Sequence, residues 1–158
     1  MKADELMIGD WLLNGCGNLM QVTAIFEDGI NGVCEGGEWR EDGKCYDLYN
    51  IIKPIPLTSE ILKKNGWYWG LTSEEEDMVS LFEGAYDEHW VYDEGAGEIS
   101  LIFPEDTNGG LLRIDDQKFN RHLRFVWNDT LYVHELQHAL RLCGLNELAG
   151  NFKVEWEE

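Results

Sequence analysis

The sequence predicts an α+β protein: a small SH3-like β-barrel at the N-terminus, then a mixed or antiparallel sheet packed by a C-terminal helix. Three observations point there. Short segments of alternating polarity are separated by tight glycine turns over the first 57 residues. Further such segments follow residue 66 with no sustained strand–helix–strand rhythm. One apolar stripe at helical spacing then stands near the end of the chain. The expected division is an SH3-like module over residues 1–57 and an α+β module over residues 58–158, with the terminal helix over about residues 130–143.

In the first module, Asp10-Trp11-Leu12-Leu13 follows Gly9, and residues 18–26 place Leu19, Gln21, Thr23 and Ile25 on one side. Glu27-Asp28-Gly29 is a hairpin signal and Ile30-Asn31-Gly32-Val33-Cys34 its return strand. Gly36-Gly37 and Asp42-Gly43 mark further turns, with Trp39 and Cys45-Tyr46 on short strands between and after them. Pro54 and Pro56 confine residues 51–57 to an extended exit, because proline cannot donate to a central ladder. In the second module Thr58 caps a helix that stops at Asn65-Gly66. Strands are expected at residues 67–69, 89–92, 98–103, 111–114 and 121–127, with residues 72–77 a loop or helix start. Asp129 or Thr130 is expected to cap the terminal helix and Gly144 to end it, with residues 152–156 as a tail or edge strand. Trp67, Tyr68, Trp69 and Trp90 read as core material rather than as a stacking platform.

Composition narrows the function. With 44% hydrophobic residues and seven tryptophans, a chain of 158 residues has ample material for a core. No apolar run approaches the roughly 20 residues needed to cross a bilayer. The first residues turn acidic at once, with no secretion signal, and the four cysteines form no C-x-x-C pair. Free thiols in a cytoplasmic protein are expected. Thirty-one acidic residues against twelve Lys and Arg give a net charge of −19. Residues 65–112 contain no Lys or Arg, while carrying Glu74, Glu75, Glu76, Asp77, Asp87, Glu88, Asp93 and Glu94 among other acids. Direct binding to nucleic acid is disfavoured, because that affinity comes from Lys and Arg neutralising phosphates. These carboxylates read either as a solvated face that keeps the protein in solution or as a surface for a protein partner with a basic face, and neither a membrane nor a cofactor is expected.

His134-Glu135-Leu136-Gln137-His138 is the one stretch onto which a definite chemistry can be written. Two histidines four apart share one helix face and can ligate one zinc, and the adjacent Glu can act as general base on a metal-bound water. Glu147 is the nearest candidate third ligand downstream. A metal-free reading explains the same residues: Val133, Leu136, Leu140 and Cys143 form one apolar stripe, and His134, His138 and Arg141 take the opposite or lateral face, solvated by Glu135 and Gln137. The metzincin extension is missing, and only twenty residues remain after His138. The packed helix is therefore the preferred reading, with the zinc hydrolase as the alternative.

Residues 1–11, then Val22-Thr23-Ala24-Ile25, then Pro54-Ile55-Pro56-Leu57-Thr58 with Ile61-Leu62-Lys63-Lys64-Asn65-Gly66, resemble a group of small proteins of gut anaerobic bacteria and their phages or mobile elements. Tyr132-Val133-His134-Glu135-Leu136-Gln137-His138 resembles the helix that ends those proteins. The group carries no assigned activity, and its helix often reads V-H-x-L-Q-N, from which His138 departs. The resemblance implies a shared fold that does not require a zinc motif.

Overall fold

The computed structural model describes residues 6–42, 52–70, 88–93, 97–103, 109–116 and 121–154, with the backbone alone at Glu88, Asp93, Gly97, Glu98, Asp115, Asp116, Arg121 and His122. The fold is α+β, with two antiparallel sheets. The chain forms two compact units, one of residues 1–56 with 132–158 and the other of residues 57–131. The boundaries follow residues 56 and 131, so the terminal helix, expected in a module of residues 58–158, groups with the N-terminal strands.

In the first unit, β1 (Trp11–Leu13), β2 (Leu19–Phe26), β3 (Gly29–Cys34), β4 (Gly37–Asp42) and β5 (Lys53–Pro54) make a sheet in the order β4-β3-β2-β1-β5. The strands alternate as the sequence pattern requires: Leu12, Met20, Val22 and Ile30 are buried and join Leu6 and Ile52 in one apolar cluster. Register shifts between Val22 and Ala24, a bulge that breaks the alternation at Thr23. The expected barrel is not closed: β4 and β5 stand at opposite edges of the described ladder. Cys45-Tyr46 lies outside the described residues.

The same unit holds α2 (Val133–Leu142), which lies against β1, and α3 (Asn146–Gly150). Helix α2 starts later than the Asp129 or Thr130 cap expected for it. Asp129 Oδ1 accepts from the neighbouring Thr130 N–H at 2.8 Å, and Tyr132 occupies the N-cap position. The cause is a non-local tie. Tyr132 bridges Pro56, and Val133 N–H donates to Ile55 C=O at 2.9 Å, so the chain stays extended up to the helix. Gly144 ends α2 as expected, at φ +83°. Short α3 follows, and Phe152 and Val154 are buried without joining either sheet.

The second unit opens with α1 (Ser59–Lys64), whose Ile61 N–H is capped by Thr58 Oγ1 at 3.3 Å. A meander follows: β6 (Tyr68–Trp69), β7 (Glu88–Asp93), β8 (Gly97–Phe103), β9 (Gly110–Asp116) and β10 (Arg121–Trp127), each antiparallel to the next. Trp67, Trp90, Val91, Ile99, Leu101, Leu112 and Ile114 are buried in it. Tyr68 and Trp69 are instead exposed, so half of the aromatic group read as core lies at the surface. Among the described residues, no helix is long and apolar enough to cross a membrane.

Candidate functional site

The polar residues of the first unit converge where the chain enters β1. Asp10 is fully buried, and a buried carboxylate persists only when its oxygens are met by donors. Three donors reach it: Met7 N–H at 2.8 Å and His138 Nε2 at 2.7 Å on Oδ2, and Arg141 Nη1 at 2.7 Å on Oδ1. His138 and Arg141 are three apart on α2 and so share a face one turn long. The guanidinium is the counter-charge to the carboxylate. Gly9 makes the approach geometrically feasible. It sits at φ +92°, and a Cβ there would come within 2.9 Å of Arg141 Nη2.

Gln137 forms the second half of the junction. The sequence pattern places it on a solvated face; the structure buries it completely. Its Nε2 donates to Gly9 C=O and Ala149 C=O, both at 3.0 Å, and its Oε1 accepts from Trp11 N–H at 3.2 Å. Both amide donors and the acceptor are thereby used. Trp11 Nε1 adds a bond to Phe152 C=O at 2.7 Å. One side chain of α2 thus ties the start of β1 to α3, and the indole of β1 ties it to the segment after α3.

The five-residue zinc pattern takes these positions. His134 is buried rather than outward, its ring stacked near Tyr132 and edge-on to His138 with centroids 5.7 Å apart. Glu135 Oε2 accepts the Tyr132 N–H at 3.0 Å, the reciprocal bond by which an acid at the third helical position closes a helix start. A carboxylate accepts hydrogen bonds and cannot donate, so the His138 Nε2 facing Asp10 carries the proton. Metal ligation through that nitrogen would require losing both the proton and the contact. A dication beside Asp10 would also meet the Arg141 charge on the same carboxylate. Glu147 is exposed on α3. Among the described residues no group of three His, Cys, Asp or Glu side chains is arranged around one point as metal ligands would be.

Of the acidic group, Glu88 and Asp93 begin and end β7. Glu74, Glu75, Glu76, Asp77, Asp87 and Glu94 lie outside the described residues. Sequence reasoning passed over Asp10, Gln137 and Arg141 as functional positions. The only local signal was the i, i+1, i+4 spacing of Gln137, His138 and Arg141, which is equally that of a solvated face. No family model, no curated protein and no solved structure matches this chain.

Proposed function

We propose that this chain is a non-enzymatic interaction protein, cytoplasmic and carried by a phage or mobile element, which meets the basic surface of a protein partner through the carboxylates of residues 65–112. The observation that favours this over hydrolysis is the employment of the motif residues. Glu135 closes the start of α2 and His138 is bonded to buried Asp10, so both serve the fold. The net charge of −19, with no Lys or Arg in residues 65–112, supports a basic partner. One form of the proposal is mimicry of nucleic-acid charge against a DNA- or RNA-handling enzyme of the host. An SH3-like arrangement of the first sheet belongs to the same reading.

The test is capture from host lysate at low and physiological salt, where the Debye length has fallen to about 8 Å. A partner held at low salt should weaken at higher salt and be lost when Glu74, Glu75, Glu76 and Asp77 are all changed to Lys. Absence of any salt-sensitive partner would overturn the proposal.

The second reading, a zinc-dependent hydrolase, is favoured by one observation: the His134 and His138 rings are neighbours on one helix. In that reading His134, His138 and Glu147 hold the metal and Glu135 is the base. Metal analysis of protein prepared without chelator or nickel discriminates. Stoichiometric zinc, lost in His134→Ala and His138→Ala, would establish the hydrolase reading over the binder.

A further inference from the structure

Two cysteines of the first unit share one buried amide. Asn14, at the end of β1, is 2% exposed. Its Oδ1 accepts the Cys16 N–H at 3.0 Å and the Asn18 N–H at 2.9 Å, while its Nδ2 donates to Cys34 Sγ at 3.6 Å. Asn14 N–H also donates to Asn18 C=O, and Gly17 N–H to Asn14 C=O, so residues 14–18 form a tight turn carrying Cys16 exposed on it. Cys34 ends β3 and is half-buried beside the apolar cluster. Glu41 fastens the turn from β4, with Oε1 accepting Gly15 N–H and Trp39 Nε1, each at 2.7 Å. Burial pushes the Cys34 thiol up; the Asn14 bond opposes this, and the nearby Glu41 and Cys16 charges add to the rise. The Cys16 N–H and the Cys34 sulfur meet the two ends of one Asn14 carboxamide, which sets the turn bearing Cys16 beside the end of β3.

We propose that Cys16 and Cys34 are a reversible thiol pair, oxidised to an intramolecular disulfide by low-molecular-weight disulfides such as oxidised glutathione. Exposed Cys16 is the attacking sulfur. As thiolate it bonds to one sulfur of the small disulfide, breaks its S–S bond and releases one thiolate. Cys34, sheltered from the reagent, gives its proton to water and attacks the Cys16 sulfur of that mixed disulfide, releasing the second small thiolate. The two protons released by the protein thiols neutralise the departing thiolates. Two protein thiols are thereby oxidised by two electrons and one small disulfide is reduced to two thiols. Gly15 and Gly17 on either side of Cys16 give the turn the backbone freedom to carry its sulfur to the end of β3.

The test uses the folded full-length chain exposed to oxidised glutathione, quenched with an alkylating reagent and mapped by peptide mass spectrometry. The wild type should yield a Cys16–Cys34 linked peptide that reverts with dithiothreitol. In Cys34→Ala the reaction should stop at glutathione on Cys16. In Cys16→Ser, a change at an exposed position that serves as the folding control, Cys34 should stay a free thiol. Cys16–glutathione adduct in the wild type equal to that of Cys34→Ala, or a link from Cys16 to Cys45 instead, would overturn the proposal.

Discussion

His138 Nε2 lies 2.7 Å from Asp10 Oδ2, so the last residue of the zinc pattern is bonded to a carboxylate 128 positions earlier in the chain. The same carboxylate takes Arg141 on its other oxygen. A charge buried this completely stands only because its partners are in place, and removing one member strands the others.

Asp10→Asn should therefore destabilise the protein without loss of shape. Asparagine keeps a polar group at the site but leaves the Arg141 guanidinium without a counter-ion. Breaking a fully buried pair costs about 3–5 kcal/mol, and the partial exposure of Arg141 lowers the expectation to roughly 2–3 kcal/mol. Urea unfolding measures it as a lower midpoint at unchanged slope. A shift below about 0.5 kcal/mol, the level of an ordinary surface change, would mean the junction contributes nothing.

Gln137→Leu should cost as much or more. The change leaves Trp11 N–H and Ala149 C=O without the partners that Gln137 gives them, whereas Gly9 C=O keeps a bond from Gln21 Nε2 at 3.3 Å. Each stranded buried group costs about 1–3 kcal/mol, giving roughly 2–6 kcal/mol for the pair. Amide hydrogen exchange gives a local readout. The Trp11 N–H should exchange faster by more than the loss of global stability accounts for, and equal acceleration across β1–β3 would contradict the assignment.

What the sequence made legible was local, and what it hid was not. Alternation located β2, β3 and the strands β7 to β10, because one buried face imposes a period of two on any strand. Thr58 and Gly144 marked a helix start and a helix end through contacts with their own turns. The start of α2 was misplaced because Leu57 N–H takes Leu131 C=O and Ile55 C=O takes Val133 N–H, pairings across more than seventy residues that no cap signal carries. Gln137 and His134 were assigned to an outer face because periodicity treats every polar side chain as wet. A buried amide with all its bonds met obeys a different rule. Asp10 stood in plain view beside Gly9, yet nothing near it announces partners on α2.

Burial pushes the Cys143 thiol above its ordinary range, since desolvation disfavours the thiolate. The folded state then keeps the proton at pH values where the unfolded chain has released it. The stability this contributes is present below the ordinary thiol range and is lost as pH rises from that range through the raised folded value. Iodoacetamide labelling of Cys143 across pH, read by peptide mass spectrometry, should show an inflection at higher pH in folded protein than in urea. Coincident inflections would contradict the burial argument.

Glu135 separates the two functional classes with a pair of substitutions. Its Oε2 accepts the Tyr132 N–H at the start of α2, and a glutamine oxygen can take the same bond. Glu135→Gln should therefore keep stability within about 0.5 kcal/mol, while Glu135→Ala should lose on the order of 1 kcal/mol, the usual worth of a helix cap. A general base would sort them differently. An amide cannot take a proton from a metal-bound water, so both variants would lose a zinc-dependent hydrolysis alike. Thermal unfolding of the two variants beside partner capture at low salt gives both readouts. A binder whose helix uses Glu135 as a cap should show Glu135→Gln like the wild type in both. Equal destabilisation by Gln and Ala would remove the cap role, and a peptidase activity abolished by Glu135→Gln in stably folded protein would remove the binder.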